Sequence, residues 1–99
     1  MMNQVFLVGK IKEIVRVDEF KNNLFIEIER PFKDGYSRIF DLIECSYWNS
    51  LFQKVVGNSK KGDLVALRGR IENENNKFLV MIENIVLLNK CKDNILKTI

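Results

Sequence analysis

The stretch "CSYWNSLFQKVV" (residues 45–56) joins two different patterns and thereby sets the order of elements in the chain. Up to this point apolar and polar residues alternate as in a β-strand, with Cys45 and Tyr47 on one face and Trp48 on the other. From Trp48 onward the apolar residues recur at intervals of three and four, which predicts a short helix. The single tryptophan therefore lies where a strand becomes a helix.

Strands are predicted on both sides of this helix. They are a first strand from Val5 to Val17, "LFIEIER" (24–30), "RIFDLIECSYW" (38–48), "LVALRGRI" (64–71) and "KFLVMIENIVLL" (77–88). The first and fourth contain Gly9 and Gly69, and glycines inside strands often mark bends. Three strands, a helix and two strands predict an all-β protein with one helix. The matching architecture is a five-stranded Greek-key barrel of the oligonucleotide/oligosaccharide-binding (OB) fold, with the helix between strands 3 and 4.

Composition narrows the function. The chain has 99 residues, which suits one domain, and 46% of them are hydrophobic, which favours a folded core. No apolar run could span a bilayer and no secretory signal is visible, so we expect a cytoplasmic protein. The absence of histidine excludes histidine-based zinc sites and Ser-His or Cys-His catalysis. No phosphate loop or metal cluster stands out either, which predicts a protein that is not an enzyme and has no cofactor.

Two segments are predicted along the chain. Residues 1–88 form the OB-fold domain, and residues 89–99 form a short C-terminal segment. Apolar residues at helical intervals in that segment indicate that it can form a docked helix.

Several motifs resemble those of bacterial single-stranded DNA-binding proteins. They are "MNQVFLVGKI" (2–11), "IERPF" (28–32), "DLIECSYW" (41–48), "KKGDLVALRGRI" (60–71) and "VMIENIVLL" (80–88). Proteins of this family bind single-stranded DNA with little sequence preference, usually as homotetramers. The resemblance implies that Phe32 and Trp48 occupy stacking positions. Leu42 stands where the family often has an aromatic residue, and Glu44 near where some members carry a basic one.

Further aromatic residues are candidates for stacking. Phe25, Tyr36 and Phe78 are predicted to be accessible, whereas Phe6, Phe40 and Phe52 are expected in the core by base rate. Two alternatives stay open. Trp48 is either a stacking platform or a core anchor at the start of the helix, and Phe32 either stacks or closes one end of the barrel.

Basic residues near these aromatics are the candidates for phosphate contacts, and the alternative for each is an ordinary solvated side chain. The net charge of +3, from 16 Lys and Arg against 13 Asp and Glu, permits such a partner without requiring it. The phosphate candidates are Lys10, Arg30, Lys33, Arg38, Arg68 and Arg70.

The sequence thus predicts a protein that coats and protects single-stranded DNA at the nucleoid during replication, recombination or repair. Two alternatives remain: a primosome-type protein that mainly docks other proteins, and a structural oligomerisation module. The first strand is apolar on both faces, which predicts a homodimer through it, or a homotetramer. The chain ends at Ile99 without the family's long linker and acidic tip, so we expect no tail-dependent replication enzymes among its partners.

Overall fold

The computed structural model describes residues 1–31 and 38–90. The elements in chain order are β1 (Val5–Arg16), β2 (Lys21–Glu29), β3 (Phe40–Trp48), α1 (Asn49–Gly57), β4 (Leu64–Glu74) and β5 (Lys77–Asn89). The strands close a barrel in the order β1-β2-β3-β5-β4. The predicted five-stranded barrel with one helix between strands 3 and 4 is therefore confirmed. Most of the predicted C-terminal segment, residues 91–99, lies outside the described residues.

The barrel wall is antiparallel except where β3 meets β5. There the strands run parallel and pair at Cys45 with Val80 and at Ser46 with Met81. Because this contact is short, the wall is open beside it, and an apolar groove lies between β1, β3 and the β4–β5 hairpin. The hairpin itself turns at Asn75 and Asn76, both with positive φ, which asparagine tolerates better than most residues.

The core follows the predicted alternation. Leu24 and Ile26 of β2 and Cys45 and Tyr47 of β3 are buried, as their shared face predicts. Two aromatic predictions are wrong. Phe6 is 70% exposed and Phe40 is 46% exposed, and neither belongs to the core. Both lie at outward positions of their strands, and in a barrel an outward position faces away from the core whatever the side chain. Phe52, by contrast, packs against the core and is partly buried.

The buried thiol of Cys45 fits its interpretation as a small core hydrophobe. It lies fully inside the main cluster of buried side chains. Burial, with a smaller contribution from the charge of Glu44, raises the pKa of Cys45 to about 12. The thiol is therefore protonated and unreactive at neutral pH.

Gly9 and Gly69 allow close approach between neighbouring strands. A Cβ on Gly69 would lie 2.3 Å from the carbonyl oxygen of Met81, and one on Gly9 would lie 2.6 Å from that of Glu27. The β4–β5 register shifts next to Gly69, as the bend interpretation predicts. In β1 the register shift falls between Ile11 and Glu13, beyond Gly9.

Candidate nucleic-acid interface

Alternate side chains of two adjacent strands form one outer surface of the barrel, which we call the β2–β3 face. Phe40 and Trp48 are eight residue steps apart, so at roughly 3.3 Å per step this face is about 26 Å long. Its members are Phe40, Leu42, Glu44, Ser46 and Trp48 of β3 and, opposite them, Glu29, Glu27, Phe25, Asn23 and Lys21 of β2. Ser46 is buried and donates a hydrogen bond to Asn23.

Trp48 lies at one end of this face. Its residue is 44% exposed, whereas the adjacent Tyr47 is fully buried, so Trp48 is not an anchor buried in the core. Lys21, its partner across the β2–β3 ladder, has its ammonium nitrogen 5.8 Å from the centroid of the tryptophan ring. The same nitrogen lies 3.4 Å from a carboxylate oxygen of Glu74 near the tip of the β4–β5 hairpin. The ring is thus accessible and has a cation beside it.

Phe25 and Phe78 both lie close to Glu44, near the middle of the face. Phe25 is half-buried and pairs with Glu44 across the ladder. Phe78 is 72% exposed and lines the apolar groove together with Leu42 and Glu44. This groove has a volume of about 470 Å³. The structure therefore brings Phe78 beside Leu42, the position where the resemblance implies a missing aromatic.

Besides Phe6 on β1, the sequence did not predict the exposure of two aromatic residues at the ends of this face, Phe40 and Phe20. Phe40 lies at the end of the face opposite to Trp48, and the guanidinium carbon of Arg38 is 5.6 Å from the centroid of its ring. The missed signal was parity, because Phe40 and Trp48 are an even number of residues apart on one strand. Phe20 lies in the turn before β2 and is 64% exposed. Its signal was weaker: an aromatic residue in an otherwise polar turn.

Two of the predicted phosphate-binding arginines are already paired with carboxylates. Arg30 donates to Asp41 through Nε at 3.0 Å and Nη2 at 2.9 Å, and Arg38 donates to both oxygens of Glu29 at 2.6 Å. The hydrogen bond from Arg30 lowers the pKa of Asp41 below its usual value and the same pair raises the pKa of Arg30. Both arginines are exposed, so a phosphate could compete for them, but it would have to displace a carboxylate.

Arg68 and Arg70 lie on β4, which borders β1 and β5 and not β3. Arg68 pairs with Phe6 across β1–β4. Arg70 is held by two carboxylates, at 2.6 Å from Glu72 and 2.9 Å from Glu83. These two arginines are therefore not part of the β2–β3 face.

Lys10 is placed near the end of the face that carries Phe40. It pairs with Glu27 across β1–β2 and lines a groove of about 370 Å³ together with Arg38 and Phe40. Within residues 1–31 and 38–90 no carboxylate forms an ion pair with Lys10. Glu27, its partner across the ladder, lies 3.7 Å from Lys12. Phe32, Lys33 and Tyr36, the remaining candidates, lie outside the described residues.

The charge on this face is largely balanced. Besides the arginine pairs, Lys77 lies 3.0 Å from Glu44. A phosphate must therefore compete with carboxylates for most of the nearby cations, and stacking carries a larger share of any affinity for a nucleic acid. In the part of the chain that the structure describes, no cluster of acidic or cysteine side chains could hold a metal ion, and no helix is long and apolar enough to cross a membrane.

Comparison with known structures shows that the barrel is an OB fold. The chain superposes on the N-terminal domain of the PriB protein from Thermoanaerobacter tencongensis with a TM-score of 0.68 and 25% identity, covering 89% of this chain and 98% of that one. It superposes on a small single-stranded DNA-binding protein from Mycoplasma pneumoniae with a TM-score of 0.71 and 21% identity, covering 94% and 99%. Mitochondrial single-stranded DNA-binding protein Rim1 from S. cerevisiae gives a TM-score of 0.73 at 18% identity, covering 92% and 100%.

The resemblance to bacterial single-stranded DNA-binding proteins is also confirmed in sequence. The chain is 30% identical over 81 residues to single-stranded DNA-binding protein 3 of Listeria innocua, covering 76% of this chain and 51% of that protein. It is 31% identical over 81 residues to the single-stranded DNA-binding protein of Oceanobacillus iheyensis, covering 76% and 50%. The chain thus spans about half the length of the curated relatives that it matches. No family model matches it.

Proposed function

We propose that this chain binds single-stranded DNA with little sequence preference and so coats and protects exposed strands during replication, recombination or repair. The observation that carries the proposal is the half-exposed ring of Trp48, with the Lys21 ammonium 5.8 Å from its centroid, at the end of a face that carries further accessible aromatics. Every base has a flat face, so aromatic side chains stack on any sequence, with about 1–3 kcal/mol per base. The relatives from Listeria innocua and Oceanobacillus iheyensis are named as single-stranded DNA-binding proteins, which supports the same function.

In this proposal the single-stranded DNA runs along the β2–β3 face. One base stacks on Trp48, the next part of the strand passes Phe25 and Phe78 at the apolar groove, and the path ends near Phe40 and Lys10. The exposed ring of Phe78 supplies the aromatic surface that Leu42 lacks. A path of about 26 Å accommodates several nucleotides, in keeping with the roughly 4–16 nucleotides that an OB fold binds.

The proposed action is binding alone, without a cofactor and without catalysis. The curated relatives are named for DNA binding, which supports this interpretation. A protein that acts in this way on exposed strands would work at the nucleoid, in the cytoplasm.

Direct binding tests the proposal. Fluorescence anisotropy of a labelled oligothymidine of about 16 nucleotides should show saturable binding, and mixed-sequence single strands should compete with similar affinity. Duplex DNA of the same length should compete poorly, because its bases are already stacked. Equal competition by duplex, or no binding at low salt, would reject the proposal.

A second candidate keeps the fold and makes protein docking the main role. Two observations favour it: carboxylates neutralise most cations around the β2–β3 face, and the chain is 25% identical to a PriB domain. Single strands that bind no more tightly than duplex would favour this docking role over the first proposal.

We also propose that two copies associate through β1. Residues Val5 to Lys10 pair with β4, and pairing with β2 begins only at Lys10, so the first half of β1 has one edge that the described strands leave unpaired. Exposed strand edges pair readily with a second chain. Phe6 and Val8 face outward and are exposed beside this edge. Val8 pairs with Ala66 of β4, and Ala66 pairs in turn with the exposed Val86 of β5.

Light scattering tests this assembly. The wild-type chain should run as a homodimer or a homotetramer at micromolar concentration, and Phe6→Glu should shift it toward the monomer by placing a charge in the contact. A monomeric wild-type protein would reject the assembly while leaving the DNA-binding proposal intact.

A further inference from the structure

The turn between β1 and β2, residues 17–20, presents an aromatic side chain to solvent. Phe20 is 64% exposed. It immediately precedes Lys21, the residue that pairs with Trp48 across β2–β3. A phenylalanine exposed to this extent contributes little to the core, and its side chain is accessible to a ligand.

Hydrogen bonds to one carboxylate fix the backbone of this turn. Oδ1 of Asp18 accepts from the backbone N–H groups of Phe20 and Lys21, both at 2.7 Å. The backbone N–H of Asp18 in turn donates to the carbonyl of Lys21 at 3.2 Å. These bonds lower the pKa of Asp18, and the bond from the backbone of Lys21 contributes more than the bond from Phe20. The carboxylate is therefore charged at neutral pH. The turn is therefore pre-formed.

A second set of bonds ties the turn to the start of α1. The backbone N–H of Asn49 donates to the carbonyl of Phe20 at 2.8 Å, and its side-chain amide donates to the carbonyl of Glu19 at 3.1 Å. Asn49 directly follows Trp48 in sequence. The backbone of Phe20 is consequently held against Asn49, the residue that follows Trp48.

The side chain of Asn22 completes this connection. Its amide donates to Oδ1 of Asn49 at 3.0 Å, and its own oxygen accepts from the backbone N–H of Val17 at 3.0 Å. Asn22 is buried although it is polar. Both ends of the turn are thus anchored to the strand-to-helix junction, so little conformational entropy is lost when a ligand contacts Phe20.

We infer that Phe20 is a second stacking residue, and that the bound single strand continues past Trp48 onto the β1–β2 turn. The inference rests on the proposed function and extends its site. The base adjacent to the one on Trp48 stacks on the ring of Phe20. The DNA-binding site therefore extends beyond Trp48, and it is longer by about one nucleotide than the β2–β3 face alone.

Fluorescence gives a direct test. In a chain carrying Trp48→Phe and Phe20→Trp, the only tryptophan reports on the turn. Oligothymidine should quench its emission, and the quenching should reverse when salt is added. The matched control is Leu88→Trp in the same Trp48→Phe background, because Leu88 is also exposed but lies on β5, outside both the β2–β3 face and the proposed β1 contact. Its emission should not respond directly to DNA.

Affinity and site length give an independent test in the wild-type background. Phe20→Ala and Phe20→Leu should weaken binding of an oligothymidine of about 16 nucleotides by about 5- to 150-fold. Leucine retains apolar bulk but has no aromatic face, so a weakening by both variants assigns the effect to stacking. The shortest oligothymidine that gives full affinity should also be about one nucleotide shorter for these variants, which a general loss of stability would not produce.

The outcomes separate this inference from the function on which it rests. If the wild-type chain does not bind single strands, the proposed function fails. A different pair of results overturns only the inference, provided that the wild type binds and Trp48→Ala weakens binding. In that case Phe20→Ala and Phe20→Leu bind as the wild type does, and DNA does not quench the tryptophan at position 20. Melting temperatures close to that of the wild type confirm that the variants are folded.

Discussion

Neutralising Glu44 should strengthen binding of single-stranded DNA. Glu44 lies in the middle of the β2–β3 face, where its Oε1 is 3.0 Å from the Lys77 ammonium and its Oε2 is 2.9 Å from the amide of Asn23. Glu44→Gln removes the negative charge and retains one side-chain oxygen, which can still accept the hydrogen bond from the amide of Asn23. The barrel should therefore remain folded while Lys77 becomes available to a phosphate.

The size of the effect follows from two contributions. One repulsion between Glu44 and a phosphate about 6 Å away costs about 0.7 kcal/mol at the dielectric constant of water, so its removal tightens binding about threefold. Freeing Lys77 adds one neutralised phosphate, which steepens the plot of log K against log salt by about 0.7 on a single strand. As the salt concentration rises from about 50 to 200 mM, the ratio of the variant's affinity to that of the wild type should therefore fall about 2.6-fold.

The assay is anisotropy of labelled oligothymidine across that salt range. Glu83→Gln is the matched control, because Glu83 also pairs with a cation, Arg70, but lies on β5 outside this face and leaves Arg70 its second partner, Glu72. The control should bind as the wild type does. If Glu44→Gln binds more weakly than the wild type, or shows the same affinity and the same salt slope, the strand does not cross the β2–β3 face.

Three other predictions concern single residues. Trp48→Ala should weaken binding to single strands by about 1–3 kcal/mol in a titration and leave the circular dichroism spectrum unchanged, and a loss of folding instead would identify it as a core residue. In a Cys91→Ser variant, Cys45 should react with a thiol reagent far more slowly in the native state than in urea, because burial raises the pKa of Cys45 to about 12; equal rates would contradict its burial. The pKa of Asp18 is lowered from 3.8, so its stabilising effect is complete above that value and is lost as the pH falls through its folded-state pKa. Asp18→Ala should therefore reduce the acid-induced fall in melting temperature, and an unchanged acid limb would show that these hydrogen bonds do not contribute.

The sequence predicts the order of strands and helix along the chain, and the residues of the core, because both depend on local patterns. Alternation in "DLIECSYW" (residues 41–48) correctly puts Cys45 and Tyr47 inside and Trp48 outside. The same alternation puts Phe40 outside, against the general preference of phenylalanine for the core. Position in the strand decided the outcome, since an outward residue of a closed barrel has no core to face.

The charge balance of the site could not be read from the sequence. Arg30 and Asp41 are eleven residues apart, and Lys77 and Glu44 are thirty-three apart, so each pair forms only through the pairing of strands. Without that register, each cation looks free to bind phosphate. The position of the turn that holds Phe20 could not be predicted for a similar reason. It depends on hydrogen bonds to Asn49, about thirty residues away along the chain.

The intrinsic fluorescence of Trp48 tests the central claim most directly, because it is the only tryptophan in the chain and lies at the end of the β2–β3 face. Titration of the wild-type protein with oligothymidine should quench this emission to saturation, salt should reverse the quenching, and duplex DNA at the same concentration should have little effect. If anisotropy shows that the single strand is bound while the emission of Trp48 stays unchanged, the strand binds elsewhere on the barrel and the assignment of the β2–β3 face is wrong.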